Sequence, residues 1–214
     1  MSLPAVLPLF PLPNVVLFPQ VLLPLHVFEP RYRQMVKDVA AGEELIGMIL
    51  LRGPEGSGGV PDVYSVGCAG RMVRKVDLAD GRSNILLQGV REFVLEEQYF
   101  DRPYRTAAVA WLPPPERNTR LEAETRQCLM EQIRGFVGEA PEPGLRILSD
   151  PTLSDEMLVN LFAFALDFPV AEKQSLLESR GLCERARQLI DTLEFHALER
   201  ASSPGLEHFK LRVQ

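Results

Sequence analysis

The chain has 214 residues with 23 basic and 29 acidic side chains, which give a formal net charge of −6. Affinity for nucleic acid comes mainly from lysine and arginine side chains that neutralise phosphates, so this balance counts against a nucleic-acid partner. No apolar run approaches the ~20 residues of a membrane-spanning helix. These features predict a cytoplasmic protein that does not act in a membrane.

The three cysteines and three histidines are isolated from one another in the sequence. Neither a disulfide framework nor a Cys-x-x-Cys metal site can be drawn from them, which favours a reducing compartment. We therefore predict that Cys68, Cys128 and Cys183 are buried thiols and that the protein holds no metal or other cofactor.

The first thirty residues are strongly apolar, yet they contain seven of the chain's eighteen prolines. Proline removes a backbone donor and favours extended geometry in the residue before it, so a helix is excluded. The pattern predicts three short strands of a small barrel, at residues 6–10, 15–18 and 21–28. No basic residue precedes Arg31, and we expect a folded segment here instead of a secretory signal.

The next elements alternate between helix, strand and loop. A short helix is predicted from Pro30, which suits a first helical turn, to Gly42. An apolar run at residues 45–51 predicts a buried strand. Glycines and prolines at residues 53–62 predict a surface loop, and this loop lacks the lysine of a phosphate-binding loop.

Four further strands are predicted before a proline triplet at residues 113–115. Strands at 66–76 and 83–88 are joined through Asp80 and Gly81, a strong hairpin signal. Strands at 91–97 and 104–112 follow. The triplet then stiffens the chain, and the apolar period changes from two to that of a helix.

Helices are predicted from about residue 120 onward. Thr119 and Glu122 have the spacing of a capping box, and Gly138 ends the helix that follows. Ser154 is the expected N-cap of the next helix. Shorter and longer helices are predicted at 171–178 and from residue 182. The predicted fold class is α+β, with a β-rich unit followed by a helical bundle.

No arrangement of residues indicates catalysis. A nucleophilic hydrolase needs a serine or cysteine beside a base, and no Gly-x-Ser-x-Gly turn occurs. We expect His26 to be a structural residue and Lys173 to lie on a helix surface or to cap a helix. The acidic pairs Glu43–Glu44 and Glu96–Glu97 are typical of a solvated surface. The sequence therefore predicts that the protein is not an enzyme.

Three stretches together resemble one family. They are LPLFPLPNVVLFPQVLLPLHVFEPRYRQMV at residues 7–36, VGCAGRMVRKVDLADGRSNILLQGVREFVL at 66–95, and FPVAEKQSLLESRGLCERARQLIDTLE at 168–194. This pattern is similar to the N-terminal, substrate-binding domain of Lon proteases, here as a free-standing domain. One departure is Gly181, which stands where that family usually has an acidic cap on its last helix.

The resemblance implies a PUA-like β pseudo-barrel at residues 1–115, a helical subdomain at 116–200 and a C-terminal tail at 201–214. It also implies a role in binding other proteins, because this domain helps full-length Lon proteases to select substrates and to assemble. Those proteases also have an ATPase with a glycine-rich phosphate loop and a protease with a Ser-Lys dyad. Neither motif occurs in these 214 residues, and we expect no hydrolysis of ATP or peptides.

Two partner classes follow from these patterns. The first is a protein, either an unfolded or extended polypeptide or a specific partner, bound in a role linked to protein quality control. The second is RNA, because PUA-like barrels elsewhere bind RNA, although the acidic charge counts against it. Phe18, Phe28 and Tyr32 are the candidate partner-binding residues. They form either an exposed apolar patch or part of the barrel core.

Overall fold

The computed structural model describes residues 3–53, 61–113, 120–138 and 153–202. Within these ranges the chain forms six strands and five helices. The first part contains β1 (Val6–Leu12), β2 (Leu22–Val27), α1 (Pro30–Ala40), β3 (Leu45–Leu50), β4 (Val66–Asp77), β5 (Ser83–Tyr99) and β6 (Thr106–Trp111). The second part contains α2 (Ala123–Val137), α3 (Asp155–Ala165), α4 (Val170–Glu178) and α5 (Leu182–Ser202). The predicted change from strands to helices is confirmed.

The chain divides into two compact units, residues 1–114 and residues 115–214. Parts of three predicted segments lie outside the described residues: 54–60 of the loop, 114–115 of the proline triplet, and 203–214 of the tail. The first two residues of the predicted tail belong to α5, which ends at Ser202.

The first unit is built on one sheet with the strand order β2-β5-β4-β3-β1-β6. β1 and β3 are parallel, and the other strand pairs are antiparallel. β5 also pairs with β6, so β5, β4, β3, β1 and β6 close into a ring. β5 is long enough for both partners, because residues 83–88 pair with β2 and residues 93–99 pair with β6. This ring is the predicted pseudo-barrel of an α+β fold.

Apolar side chains fill the interior of the ring. The central cluster consists of Leu7, Leu9, Leu45, Ile49, Ala69, Phe93, Ala107 and Val109. The ring of Phe93 lies against two glycines: a Cβ atom on Gly47 would be 3.1 Å from its Cζ atom, and one on Gly67 would be 2.6 Å from it. Because these two strand positions carry no side chain, the barrel has room for a phenyl ring at its centre.

Residues 15–18 form no strand, so this part of the prediction is wrong. The following turn is fixed on β5 instead: Gln20 donates its N–H to the oxygen of Gly89 at 2.8 Å, and Gly89 donates to the oxygen of Val21 at 2.9 Å. A Cβ atom on Gly89 would collide with the carbonyl oxygen of Phe18. Only glycine allows the two backbones to approach this closely.

β4 and β5 form the hairpin predicted around Asp80 and Gly81. Gly81 has a φ of 79°, which glycine adopts readily, and the carboxylate of Asp80 accepts the N–H of Arg82 at 3.0 Å. The predicted division of residues 83–97 into two strands is wrong. The pairing of β4 and β5 shifts opposite Gly89, and this bulge lets β5 continue as one strand of 17 residues.

The second unit begins with α2, whose start differs from the prediction. The helix begins at Ala123 with Glu122 as its N-cap, so Glu122 does not occupy the third helical position of a capping box. Thr119 lies outside the described part of the chain. Asp155 holds this end of the helix instead, because its carboxylate accepts the N–H of Leu121 at 2.9 Å and of Arg126 Nε at 2.8 Å.

The start of α3 and the capping role of Lys173 are confirmed. The hydroxyl of Ser154 accepts the N–H of Met157 at 3.1 Å, which satisfies one free donor of the first helical turn. Nζ of Lys173 donates to the carbonyl oxygen of Phe164 at 2.6 Å, near the carboxyl end of α3, where cations are favoured. Buried side chains then join the helices: Leu129, Ile133, Leu158, Phe162, Leu189 and Leu193.

Candidate functional site

Of the three predicted partner-binding residues, only Phe28 lies on the surface. Its side chain is 59% exposed, whereas Phe18 and Tyr32 are buried. Tyr32 packs against Phe10 with ring centroids 4.1 Å apart, and burial raises the pKa of its hydroxyl. Phe18 and Tyr32 are therefore core residues, which corrects the prediction for two of the three. A partner-binding role for Phe28 stays a prediction.

Phe28 adjoins an exposed face of β2, β5 and β4. The pairing of β2 with β5 places Pro24 opposite Leu86 and His26 opposite Asn84. Residues that are paired directly point to the same side of a sheet. We call this face the outer-sheet surface and define it by Leu22, Pro24, His26, Phe28, Val76 and Leu86.

The outer-sheet surface combines exposed apolar side chains with the polar Asn84, Gln88 and Arg74, which lie opposite His26, Leu22 and Leu86. Leu22 is 49% exposed and Val76 is 41% exposed, and Pro24 is also exposed. β2 is the first strand in the sheet order, and its only strand partner among the described residues is β5. Pro24 fits such an edge, where one backbone donor is not needed. An extended chain could therefore contact both an apolar face and an open strand edge here.

Hydrogen bonds hold the aromatic end of this surface in place. Nη1 of Arg82 lies 3.3 Å from Nε2 of His26, and Nδ1 of His26 lies 2.7 Å from Oδ1 of Asn84. Because a guanidinium only donates, Nε2 accepts and Nδ1 donates its proton to Asn84. The fixed imidazole stacks with the ring of Phe28 at a centroid distance of 6.1 Å and an angle of 25°. Phe28 is thus exposed, and its ring is held in place by contact with the hydrogen-bonded imidazole of His26.

A groove of about 790 Å³ lies elsewhere on the same unit. It is formed by the start of β1, the end of α1 with the turn that follows, and the connection between β5 and β6. Its polar side chains include Asp38, Glu43, Glu44, Asp101, Arg102 and Tyr104, and its apolar ones include Val6, Leu7, Val39 and Phe100. We call it the acidic groove. Its volume is that of pockets which bind small ligands or short segments of chain.

Tyr104 organises the polar side of the acidic groove. Its hydroxyl donates to Oδ2 of Asp38 at 2.6 Å and accepts from Nη1 of Arg102 at 3.0 Å. The hydrogen bonds from Tyr104 and Gln34 lower the pKa of Asp38, so this carboxylate is ionised at neutral pH. Burial and the bond to Asp38 raise the pKa of Tyr104. The hydroxyl therefore stays protonated and keeps donating.

The acidic groove could not be found from sequence spacing. Glu43 and Glu44 do lie in the turn after α1, as expected for solvated carboxylates. Asp38 and Asp101 reach the same groove from distant parts of the chain, because β1 lies beside β6 in the closed ring. Asp38, Glu43 and Glu44 are neighbours in the sequence, but nothing in the sequence relates Asp101 to them.

The described residues offer few other features that indicate a function, whether metal-binding groups, reactive thiols or membrane-spanning helices. Within the described ranges no three histidine, cysteine, aspartate or glutamate side chains are close enough to hold a metal ion. Cys68 is buried as predicted, but Cys128 is half-buried and Cys183 is exposed, so the prediction of buried thiols fails for these two. None of the helices in the described ranges has the length and apolar character that a bilayer crossing requires.

Comparison with known proteins gives a consistent match. The family model of the ATP-dependent protease La (LON) substrate-binding domain matches residues 6–194. The Lon protease of Flavobacterium johnsoniae is 28% identical over 208 residues, covering 92% of this chain and 24% of that protein. The Lon protease of Roseiflexus castenholzii is 30% identical over 197 residues, covering 90% of this chain and 24% of that protein. The chain thus spans about a quarter of the length of these curated bacterial relatives.

Two solved structures share the fold. A Lon N-terminal domain protein from Xanthomonas campestris has a TM-score of 0.67 at 24% identity, with 87% of this chain and 97% of that chain covered. The N-terminal domain of a Mycobacterium avium complex Lon protease has a TM-score of 0.66 at 17% identity, with 89% of this chain and 99% of that chain covered.

Proposed function

Because the chain belongs to the ATP-dependent protease La (LON) substrate-binding domain family, we propose that it recognises extended or unfolded segments of other proteins and has no catalytic activity of its own. The relatives named above are proteases, and the family model that matches is that of their substrate-binding part. A module that selects polypeptides needs an accessible apolar surface more than it needs reactive groups.

The exposure of Phe28 carries the proposal. A phenyl ring with 59% of its surface in water, beside the exposed Leu22 and Pro24 on an edge strand, contributes nothing comparable to the barrel core. Burying these side chains against a partner removes apolar surface from water, which is favourable by ~25 cal/mol per Å². Because the ring of Phe28 already stacks on His26, it loses less conformational entropy when a partner binds.

The outer-sheet surface suits segments of extended chain. Side chains of an extended segment alternate in direction, so every second residue can meet the apolar face. The backbone groups of β2 before and after Pro24 are available at the open edge of the sheet. Addition of a strand to such an exposed edge is a common mode of peptide recognition. A surface this small supports weak binding, which suits a role linked to protein quality control.

Replacing Phe28 by alanine is expected to weaken binding of an unfolded protein by roughly tenfold, because loss of ~1.4 kcal/mol of apolar contact corresponds to that factor. Reduced, carboxymethylated α-lactalbumin serves as the unfolded probe in a fluorescence titration. The matched control is Phe195→Ala, because Phe195 is 56% exposed but lies on α5 in the other unit.

Equal binding by the Phe28→Ala variant and the wild type would contradict the role of this surface, and so would an equal loss in Phe195→Ala. If the wild type does not bind the unfolded protein but causes a salt-dependent mobility shift of RNA in gel electrophoresis, the PUA-like RNA-binding alternative replaces the proposal.

A further inference from the structure

We propose that the acidic groove is a second polypeptide-binding site, selective for extended segments in which arginine or lysine alternates with apolar residues. It shares no residue with the outer-sheet surface, and carboxylates line it. The proposal therefore goes beyond the recognition of apolar segments and adds a preference for positive charge.

The first argument is charge complementarity. Four of the charged side chains that line the groove are carboxylates, those of Asp38, Glu43, Glu44 and Asp101, and one is the guanidinium of Arg102. That guanidinium already donates to Tyr104 and lies 3.7 Å from Asp38. Two further guanidiniums bond to groove residues: Arg71 donates to the backbone oxygen of Glu43 and Arg105 to Oε1 of Gln98, each at 3.3 Å. Among the residues that line the groove, four carboxylates still outnumber one guanidinium, and this excess attracts a cationic partner.

The second argument is that most of these carboxylates have no internal partner. The carboxylates of Glu43, Glu44 and Asp101 form no hydrogen bond or ion pair within the described part of the chain. Two of them belong to consecutive residues of a fixed turn, where Glu44 donates its N–H to Val39 at 3.2 Å and its oxygen accepts from Met72 at 2.7 Å. A bound arginine or lysine could therefore pair with them without breaking an existing contact.

The third argument is the apolar lining, which a free cation would not need. Val6 and Phe100 are both exposed in the groove, and Leu7 and Val39 form buried parts of its wall. Tyr99 is half-buried and adds aromatic surface, on which a guanidinium can stack. Carboxylates at the rim and apolar groups along the wall match a segment that alternates cationic and apolar side chains.

The experiment uses a blocked, fluorescein-labelled octapeptide in which arginine alternates with phenylalanine and valine, and a second octapeptide with glutamate in place of each arginine. Fluorescence anisotropy with the full chain is expected to show tighter binding of the arginine peptide, although both peptides can contact the outer-sheet surface through their apolar residues. Because the charged groups are exposed, binding should weaken as the salt concentration rises.

Combining Glu43→Gln with Glu44→Gln is expected to weaken binding of the arginine peptide by roughly three- to tenfold, the range for two exposed ion pairs. The control combines Glu124→Gln with Asp191→Asn, which changes the net charge equally but affects exposed positions in the second unit. Phe28→Ala is expected to keep the difference in affinity between the arginine and glutamate peptides, because that difference comes from the acidic groove and not from the outer-sheet surface.

Equal binding of the two peptides by the wild type would overturn the proposal, as would equal weakening by the two double variants. If the Glu43→Gln, Glu44→Gln variant does not fold, the comparison of the two peptides with the wild type and the salt dependence of their binding still test the proposal. Loss of the difference between the two peptides in Phe28→Ala would assign the cationic preference to the outer-sheet surface and contradict a separate site.

Discussion

Replacing Phe93 by alanine is expected to lower the free energy of unfolding of the barrel unit by about 3–5 kcal/mol. Phe93 is fully buried at the centre of the ring of strands, and Gly47 and Gly67 leave the space that its phenyl ring fills. It also packs edge-to-face against Trp111 at a centroid distance of 6.2 Å. The hydrogen-bonded strands of the closed ring fix the positions of both glycines, so the interior can collapse only partly around the cavity that alanine would leave.

Urea unfolding followed by tryptophan fluorescence measures this effect, because Trp111 is the chain's single tryptophan and touches Phe93. Phe28→Ala is the control: it removes the same ring from the surface and is expected to cost less than ~1 kcal/mol. A Phe93→Ala variant as stable as Phe28→Ala would show that the barrel interior is not packed around this ring.

Replacing Arg185 by alanine is expected to destabilise the helical unit by about 3 kcal/mol. The guanidinium is buried and donates to Asn160 Oδ1 at 2.6 Å, to the oxygen of Leu176 at 2.9 Å and to the oxygen of Leu177 at 3.2 Å. Two of these acceptors are carbonyl groups in the last turn of α4, where Leu176 otherwise accepts only a long bond from the N–H of Ser179, at 3.4 Å, among the backbone bonds of the described residues. Alanine would leave all three acceptors buried without this donor.

The helical unit can be followed by circular dichroism during thermal unfolding. Arg187→Ala is the matched control, because Arg187 lies on the same helix but is exposed. Arg185→Lys is expected to be intermediate, since one ammonium group cannot reach three acceptors in the fork geometry of a guanidinium. If Arg185→Ala and Arg187→Ala unfold at the same temperature, the buried network does not support the helices.

The division into strands and helices could be predicted because local chemistry determines it. Asp80 and Gly81 meet the backbone needs of a hairpin, and the hydroxyl of Ser154 meets those of a helix start. The prediction of a strand at residues 15–18 was wrong because most of the apolar side chains there are buried without strand pairing. Phe18 is buried by packing of a turn on Gly89, and this contact joins segments far apart in sequence.

The candidate site was less predictable for the same reason. An aromatic residue in an apolar stretch has the same local pattern whether it faces the core or the solvent. Burial of Phe18 and Tyr32, and exposure of Phe28, depend on which side of β2 and α1 meets the closed ring. The groove likewise exists only because ring closure joins carboxylates from separate segments.

Hydrogen exchange of the full chain, with and without reduced carboxymethylated α-lactalbumin, tests the proposed polypeptide recognition most directly. Binding at the outer-sheet surface predicts added protection of residues 22–28 and of the paired residues 84–88 in β5. Protection confined to segments near Tyr64, Trp111 or α5 would place the contact elsewhere. No added protection in any segment, at a concentration of unfolded protein that saturates the fluorescence titration, would contradict the account.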